Sequence, residues 1–455
     1  MKHRLLLSLI LLSLLAHSQP QGQRLKVSAS QRTLVHEDGS PFFYLGDTAW
    51  ELFHRLTKED AELYLQNRKD KGFTVIQAVV LAELDGLHTP NMYGFTPLIN
   101  DNPLRPREQY FEHVDWVINK AAELGLYIAL LPTWGDKVFK DRWGIGPEIF
   151  NVNTAMAYGE FIGKRYKDQW NIIWVLGGDR NPRNEEDVKV WRAMANGIVK
   201  GVGDNDNALM TFHPQPHNNG GSSTWFHHDA WLDFNMHQTG HCIDNRRADK
   251  ITYDYNLIPV KPTMDGEPMY EEHPICFDGR KNGFSTADDI RKLAYWDLFA
   301  GAMGHTYGCH AIWQFYSENW EPLNSPQRTW KASLDLPGAL QMGYLKNLMT
   351  PFLERDRIPD QSLVVGDNPK DSSYVAATRA VDGRFALVYT PTGKAISINA
   401  KSLRGKKLTA TWFDPRTGNY TSILTSRKKS VMTFTPLSSG ETLDWVLVLE
   451  MDKVF

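Results

Sequence analysis

The sequence reads as an α/β chain: a (β/α)8 TIM barrel over residues 19–349, followed by an all-β sandwich over residues 350–455. Three observations predict this. Eight short, almost continuously apolar runs follow one another, as strands covered on both faces require. Helix-patterned stretches separate most of them, which is the alternation of a parallel barrel. Past Leu340 the texture changes to short β runs with turn signals between them, the pattern of a sandwich.

The strand-like runs are, in order, FFYLGD near 42, TVIQAVVL near 74, YIALLP near 127 and IIWVLGGD near 172. They continue with ALMTFHP near 208, DFNMHQ near 233, KPTMDGEP near 261 and HAIWQF near 310. The crossover helices are TKEDAELYLQNRKDKG, YFEHVDWVINKAAELG, TAMAYGEFIGKRYKDQ, EEDVKVWRAMANGIVKG and TADDIRKLAYWDLFAGAMG, with Gly placed as a helix C-terminus prefers. The link between the fifth and sixth runs is rich in His, Asn, Gly and Ser and predicts a short irregular crossover. The rival fold is an open doubly wound sheet, but no glycine-rich phosphate loop follows the first run. MTPFLERDRIPDQ reads as the boundary, and six β runs follow it, from SYVAATRAV to DWVLVLE.

The 455 residues are enough for a barrel plus a smaller module. A net charge of -3 gives no basic field for nucleic acid, and no polybasic run favours an anionic membrane. MKHRLLLSLILLSLLAHSQ reads as a secretory leader over residues 1–18: a basic start, an apolar stretch too short to span a bilayer, and a small-x-small site ending at Ser18. The expectation is an exported protein, periplasmic or at the cell surface, with no membrane anchor and acting as a monomer. Three cysteines, Cys242, Cys276 and Cys309, are too few for a disulfide framework. They read first as buried small hydrophobes, with one bond between two of them left open.

A barrel builds its site at the C-terminal ends of its strands. Polar residues gather there: Asp47 and Trp50 after the first run, Gln77 on the second with Glu83 beyond it, Trp134 and Asp136 after the third. Asp179 and Arg180 end the fourth, His213 the fifth, His237, Gln238 and His241 the sixth, Asp265 and Glu267 the seventh, and Trp313 the eighth. Asp179 and Glu267 are the sharpest pair, because strands four and seven face each other across a closed eight-stranded barrel. Glycosidic cleavage needs two such carboxylates, one protonated to release the leaving oxygen and one charged to act at the anomeric carbon. The alternative is a carboxylate satisfied by Arg180 or by backbone amides. Trp50, Trp134 and Trp313 are candidates to stack on sugar faces or to pack in the core. His213, His237 and His241 are candidates to orient hydroxyls or the nucleophile. His237 and His241 lie at a strand end and not on a helix, so the helical two-histidine zinc pattern does not apply, and no metal or cofactor is expected. GDNDN lacks the distal Glu of a calcium loop. The absence of G-x-S-x-G argues against a serine esterase.

GDTAW, QAVVL, PTWGDK, WVLGGDRN, FHP, QTGH, DGEPMYE and the late WFDPRTG together resemble glycoside hydrolase family 140, the apiosidases of pectin-digesting gut Bacteroidetes. The resemblance runs over essentially the whole mature chain. It implies hydrolysis of β-linked apiose in rhamnogalacturonan II, with Asp179 as acid/base and Glu267 as nucleophile, and a pectic oligosaccharide as the partner. Their places at or beyond the strand ends make Asp47, Trp50, Gln77, Trp134, Asp136, Arg180, His213, His237, Gln238, His241 and Trp313 the candidate substrate-binding residues. WFDPRTG marks only the accessory β-domain. The large barrel clan to which the roles are likened usually carries Asn-Glu after strand four, where this chain has Gly178-Asp179. Another furanosidase, or a glycan-binding protein without catalysis, are the other readings; loss of one carboxylate would favour the last, and this chain keeps both.

Overall fold

The computed structural model describes residues 22–244 and 246–452, so the expected leader lies outside the described residues. Eight parallel strands carry the first part: β1 (Tyr44–Thr48), β2 (Val75–Leu81), β3 (Tyr127–Thr133), β4 (Ile172–Gly177), β5 (Met210–His213), β6 (Asn235–Gln238), β7 (Thr263–Glu267) and β8 (Gly304–Tyr307). Helices lie between them: α1 (Lys58–Asp70), α2 (Glu108–Glu123), α3 (Val152–Tyr166), α4 (Glu185–Val202), α5 (Ala248–Tyr255) and α6 (Ala287–Phe299). A single helical turn, Ser223–Phe226, serves the irregular fifth crossover.

The closed eight-stranded ladder expected from the sequence is not what forms. Six strands make one curled parallel half-barrel sheet in the order β5-β4-β3-β2-β1-β8, and β6 and β7 make a separate parallel pair. Side chains take over where the ladder stops. The Asp233 carboxylate accepts from Met210 N–H (2.7 Å) and the Thr211 hydroxyl donates to Phe234 O (2.6 Å), in the place of strand-to-strand bonds. Single backbone bonds join the starts of the strands, Asp233 N–H to Met210 O and Met303 N–H to Thr263 O, each 2.9 Å.

The eighth strand is also displaced from its expected place. HAIWQF contains a helical turn, His310–Trp313, and the strand is Gly304–Tyr307 just before it. A short apolar run does not by itself separate helix from strand. Gly304 decides the matter, because a Cβ there would stand 2.3 Å from Tyr44 O on β1, so only glycine allows this close pairing.

The boundary segment is ordered as helix α7 (Pro337–Met349), then a turn, then strand β9 (Arg357–Pro359). The β-rich part continues with β10 (Val364–Val365), β11 (Ala376–Ala380), β12 (Phe385–Thr390), β13 (Ile396–Asn399), β14 (Lys407–Phe413), β15 (Tyr420–Arg427), β16 (Val431–Phe434) and β17 (Trp445–Met451). A six-stranded antiparallel sheet, β9-β11-β12-β17-β14-β15, faces a three-stranded one, β10-β13-β16, over Val388, Ile398, Trp412 and Leu449. β15 escaped the sequence reading because its Thr- and Ser-rich residues are mostly exposed and carry no apolar alternation.

The outer face of the large sheet packs on α6. Tyr295 stacks on Tyr389 with centroids 4.7 Å apart, and Arg291 grips Asp444 with two bonds of 3.0 and 2.9 Å. Tyr389 OH (3.1 Å) donates to the same carboxylate, and Gln341 accepts from Arg291 (2.8 Å). The pair is buried, so removing one member strands the other's charge. Arg291→Met is expected to cost about 3–5 kcal/mol. Thermal unfolding should show this as a melting temperature lower by roughly 3–6 °C.

Candidate active site

The site begins at the corner after β4. Gly177, Gly178 and Asp179 take φ of +86°, +111° and +50° in succession. A Cβ at Gly177 would lie 2.3 Å from His213 O, and one at Gly178 would lie 2.8 Å from Trp134 and 2.9 Å from Gly135 N. Two glycines are therefore needed for the chain to turn between its neighbours. Gly178 N–H donates to His213 O (2.9 Å) and Gly178 O accepts from Gly135 N–H (3.0 Å). Aspartate is one of the few other residues that tolerate the left-handed region. The corner therefore ends on an acid aimed out of the sheet.

Asp179 is mostly buried, with 17% of its side chain exposed. Its Oδ2 accepts from Trp143 Nε1 (3.1 Å) and from Arg180 (3.2 Å). Burial, then the charge of Glu267, raise its pKa to about 6 against the opposing pull of Arg180, His213 and Trp143. The loop that brings Trp143 is itself anchored. Asp136 accepts from Gly146 N–H (2.9 Å) and Ile145 N–H (3.2 Å), and Arg180 donates to Phe139 O (3.1 Å) and lies under the Trp143 ring.

Glu267 ends β7 at a bulge. His237 pairs with Asp265 and Gln238 with Glu267, so Gly266 is the extra residue, which re-aims the side chain after it. Gln77 donates to Gly266 O (2.8 Å) and Asp265 accepts from Glu267 N–H (3.1 Å), fixing the bulge from both sides. Glu267 Oε1 lies 3.2 Å from His241 Nε2, and Oε2 lies 3.0 Å from His213 Nε2. Burial opposes its charge, but the two histidines outweigh burial and hold the carboxyl well below the usual range. Burial and the facing charge thus push the Asp179 pKa up while the histidines keep Glu267 ionised.

His213 links the two acids. Its Nδ1 accepts from Asp179 N–H (3.3 Å), which leaves the hydrogen on Nε2, the atom 3.0 Å from Glu267 Oε2. His241 stacks on His273 (4.1 Å), and His273 meets His310 edge-on (4.5 Å). Burial lowers the pKa of both outer histidines, that of His310 to about 4. A Cys242–Cys276 disulfide clips the His241 loop to the His273 loop, correcting the reading of all three cysteines as separate hydrophobes; Cys309 alone is free and buried.

The other residues named from the sequence divide into two groups. Trp50, Trp134 and Trp313 are buried beneath the acids: Trp50 packs on Trp134 (5.1 Å) and His213 (5.4 Å) and donates to Tyr270 OH (3.2 Å), and Trp313 donates to His310 (3.3 Å). Gln238 stands beside Glu267 in register, with a buried Oε1 that no described residue bonds. Asp47 and His237 point the other way. Asp47 is buried against α1, bonded by Tyr64 OH and Arg68 Nε, both at 2.5 Å. His237 lies 2.8 Å from Asp254 of α5. Gln77 and Asp136 hold backbone near the two acids, and Arg180 bonds both backbone and the Asp179 carboxylate. Glu83, half-buried after β2, has its pKa raised well above the usual range by burial and then by Asp179 and Asp136. Trp143, Tyr270, His273 and His310 were not singled out from the sequence; only Tyr270 lay in a quoted motif.

Among the described residues no group of three His, Cys, Asp or Glu side chains is arranged to hold a metal ion, and no helix is long and apolar enough to cross a membrane.

The model of the apiosidase-like catalytic domain matches residues 28–353, and a model of a domain assigned to collagen binding in a collagenase matches residues 358–450. No curated protein matches. One solved structure, titled a glycoside hydrolase, is 34% identical with TM-score 0.86, covering 95% of this chain and 98% of its own. A second, titled a glycoside hydrolase family 5 protein from Bacteroides vulgatus, is also 34% identical with TM-score 0.85, over 94% of this chain and 93% of its own. The chain belongs to the apiosidase-like family and is a glycoside hydrolase.

Proposed function

We propose that this chain cleaves the β-linked apiose in side chains of pectic rhamnogalacturonan II, with retention of configuration. The observation that carries the mechanism is the opposed state of two acids joined by one imidazole: Asp179 with a pKa near 6 and Glu267 held ionised. The apiose itself rests on the family and on the motifs that resemble family 140.

The Asp179 proton passes to the glycosidic oxygen as the bond from the anomeric carbon breaks, and a Glu267 oxygen attacks that carbon to form a glycosyl ester. Water then attacks the same carbon and returns a proton to Asp179, and the ester bond breaks to regenerate Glu267. His213 and His241 hold the attacking carboxylate in place and in its charged form. Eight closed strands, their ladder interrupted on either side of β6 and β7, are the barrel we infer beneath this site. We also read the protein as exported, since the leader-like start and the Cys242–Cys276 bond suit an oxidising compartment.

The test is product analysis with the purified protein on a panel of pectic oligosaccharides. Cleavage at apiose is expected, with arabinofuranosides left intact. Arabinose release in place of it would reassign the sugar, and no release from any member of the panel would remove the pectic reading.

A further inference from the structure

We propose that the barrel-distal tip of the β-domain is a binding groove for an acidic polysaccharide of the polyuronate class. Lys406 and Lys407 open β14, while Arg427 closes β15 and Lys429 follows it. All four are exposed. Lys407 and Arg427 stand directly opposite each other in the antiparallel ladder. Like charges so placed repel, and a sheet that carries them without a counter-charge is less stable for it.

Among the described residues no ion pair engages Lys406, Lys407, Arg427 or Lys429. The ion pairs of the domain join Arg379 to Asp360, Arg384 to Asp382 and Arg416 to Asp414, and Asp444 and Lys370 reach back to Arg291 and Asp249. The acid beside the groove, Asp452, is turned to the backbone N–H groups of Lys406 (2.8 Å) and Lys407 (2.9 Å). Lys406, Lys407, Thr425, Ser426 and Arg427 line a groove of about 440 Å³. Cations with neutral hydroxyls between them match a chain that alternates carboxylates with hydroxyls.

Position gives the groove its use. The other end of the same hairpin touches the catalytic part, for Gly418 packs on Tyr344 of α7. A seven-residue strand spans about 20 Å, so the groove lies on the side away from that contact. A polyanion bound there is held by a surface separate from the one that turns substrate over. The choice of a polyuronate rests on the pectic reading, whereas the groove's charge does not.

The experiment is affinity electrophoresis of the full-length protein through gels containing polygalacturonate or neutral galactan. Binding to duplex DNA and to phosphatidylserine vesicles is measured alongside. Retardation by polygalacturonate alone is expected, weakening with salt as exposed charges are screened. The K407S/R427S protein should bind at least about tenfold more weakly, melt no lower and turn over a small glycoside at the parental rate. Equal binding by that variant, equal retardation in galactan, or tighter binding to DNA or vesicles would each overturn the proposal. Hydrolysis of apiosyl substrate without polygalacturonate binding would sink the groove and leave the catalytic reading standing; binding without any pectic hydrolysis would do the reverse.

Discussion

Glu267→Gln is expected to lower kcat by at least about 10⁴-fold, the scale of removing a nucleophile from a preorganised site. The amide keeps the size of the carboxylate but not its charge, so nothing remains to meet the carbocation-like carbon. His213 and His241 would then face an amide that can flip, one nitrogen donor against another. The fold should survive, because Gln77 and Asp265 hold the bulge through backbone atoms that the substitution leaves alone. Steady-state rates on an apiosyl oligosaccharide, with far-UV circular dichroism as the control, check both halves. A variant within tenfold of the parent would exclude Glu267 as the nucleophile.

Asp179→Asn has the second-largest expected effect, on the order of 10²–10⁴-fold for a sugar leaving group. A leaving group that departs without a proton should lose far less. The pH profile carries its own signature. Asp179 works while protonated, and its pKa is raised to about 6, so kcat/KM should fall as pH rises through about 6. Glu267 stays charged well below that point, so the acidic limb lies further down. The asparagine protein should lose the alkaline limb. Stability moves with it: the folded carboxyl holds its proton more tightly than the unfolded one, so native stability is lost as pH climbs through about 6. Asparagine removes that loss, and at pH 8 the variant should melt no lower than the parent. An alkaline limb that persists in the variant would assign it to another group.

The two acids were legible because they sit where buried strands run out, and a water-free run such as IIWVLG ending in Gly-Gly-Asp has few structural explanations. Which face a strand-end residue takes was not legible. Asp47 and Thr48 are neighbours with opposite fates, Asp47 against Arg68 behind the sheet and Thr48 within reach of Gln77 inside it (3.4 Å). A bulge defeats the parity rule for Glu267 in the same way, since the extra Gly266 shifts everything beyond it on β7. Trp143 lies on a loop whose shape depends on Asp136 and Arg180, seven and thirty-seven positions away in a chain that gives no local sign of the contact. The basic tip was invisible for a related reason: two short clusters some twenty residues apart become one surface only when the hairpin closes.

The interrupted ladder sets the terms on which the reacting groups meet. Asp179 rides on the large sheet and Glu267 on the detached pair; the backbone joins the two at the strand starts, through Met210 and Thr263, and again beyond β7, where Glu271 N–H donates to Gly308 O and His310 N–H to Glu271 O, each 2.9 Å. Beside the two acids the span is crossed by the His213 imidazole and the Gln77 amide. The gap between proton donor and attacking oxygen is thus set partly by side chains, which makes its width a property that substitution of Gln77, bonded to the Gly266 carbonyl, can tune without touching either acid.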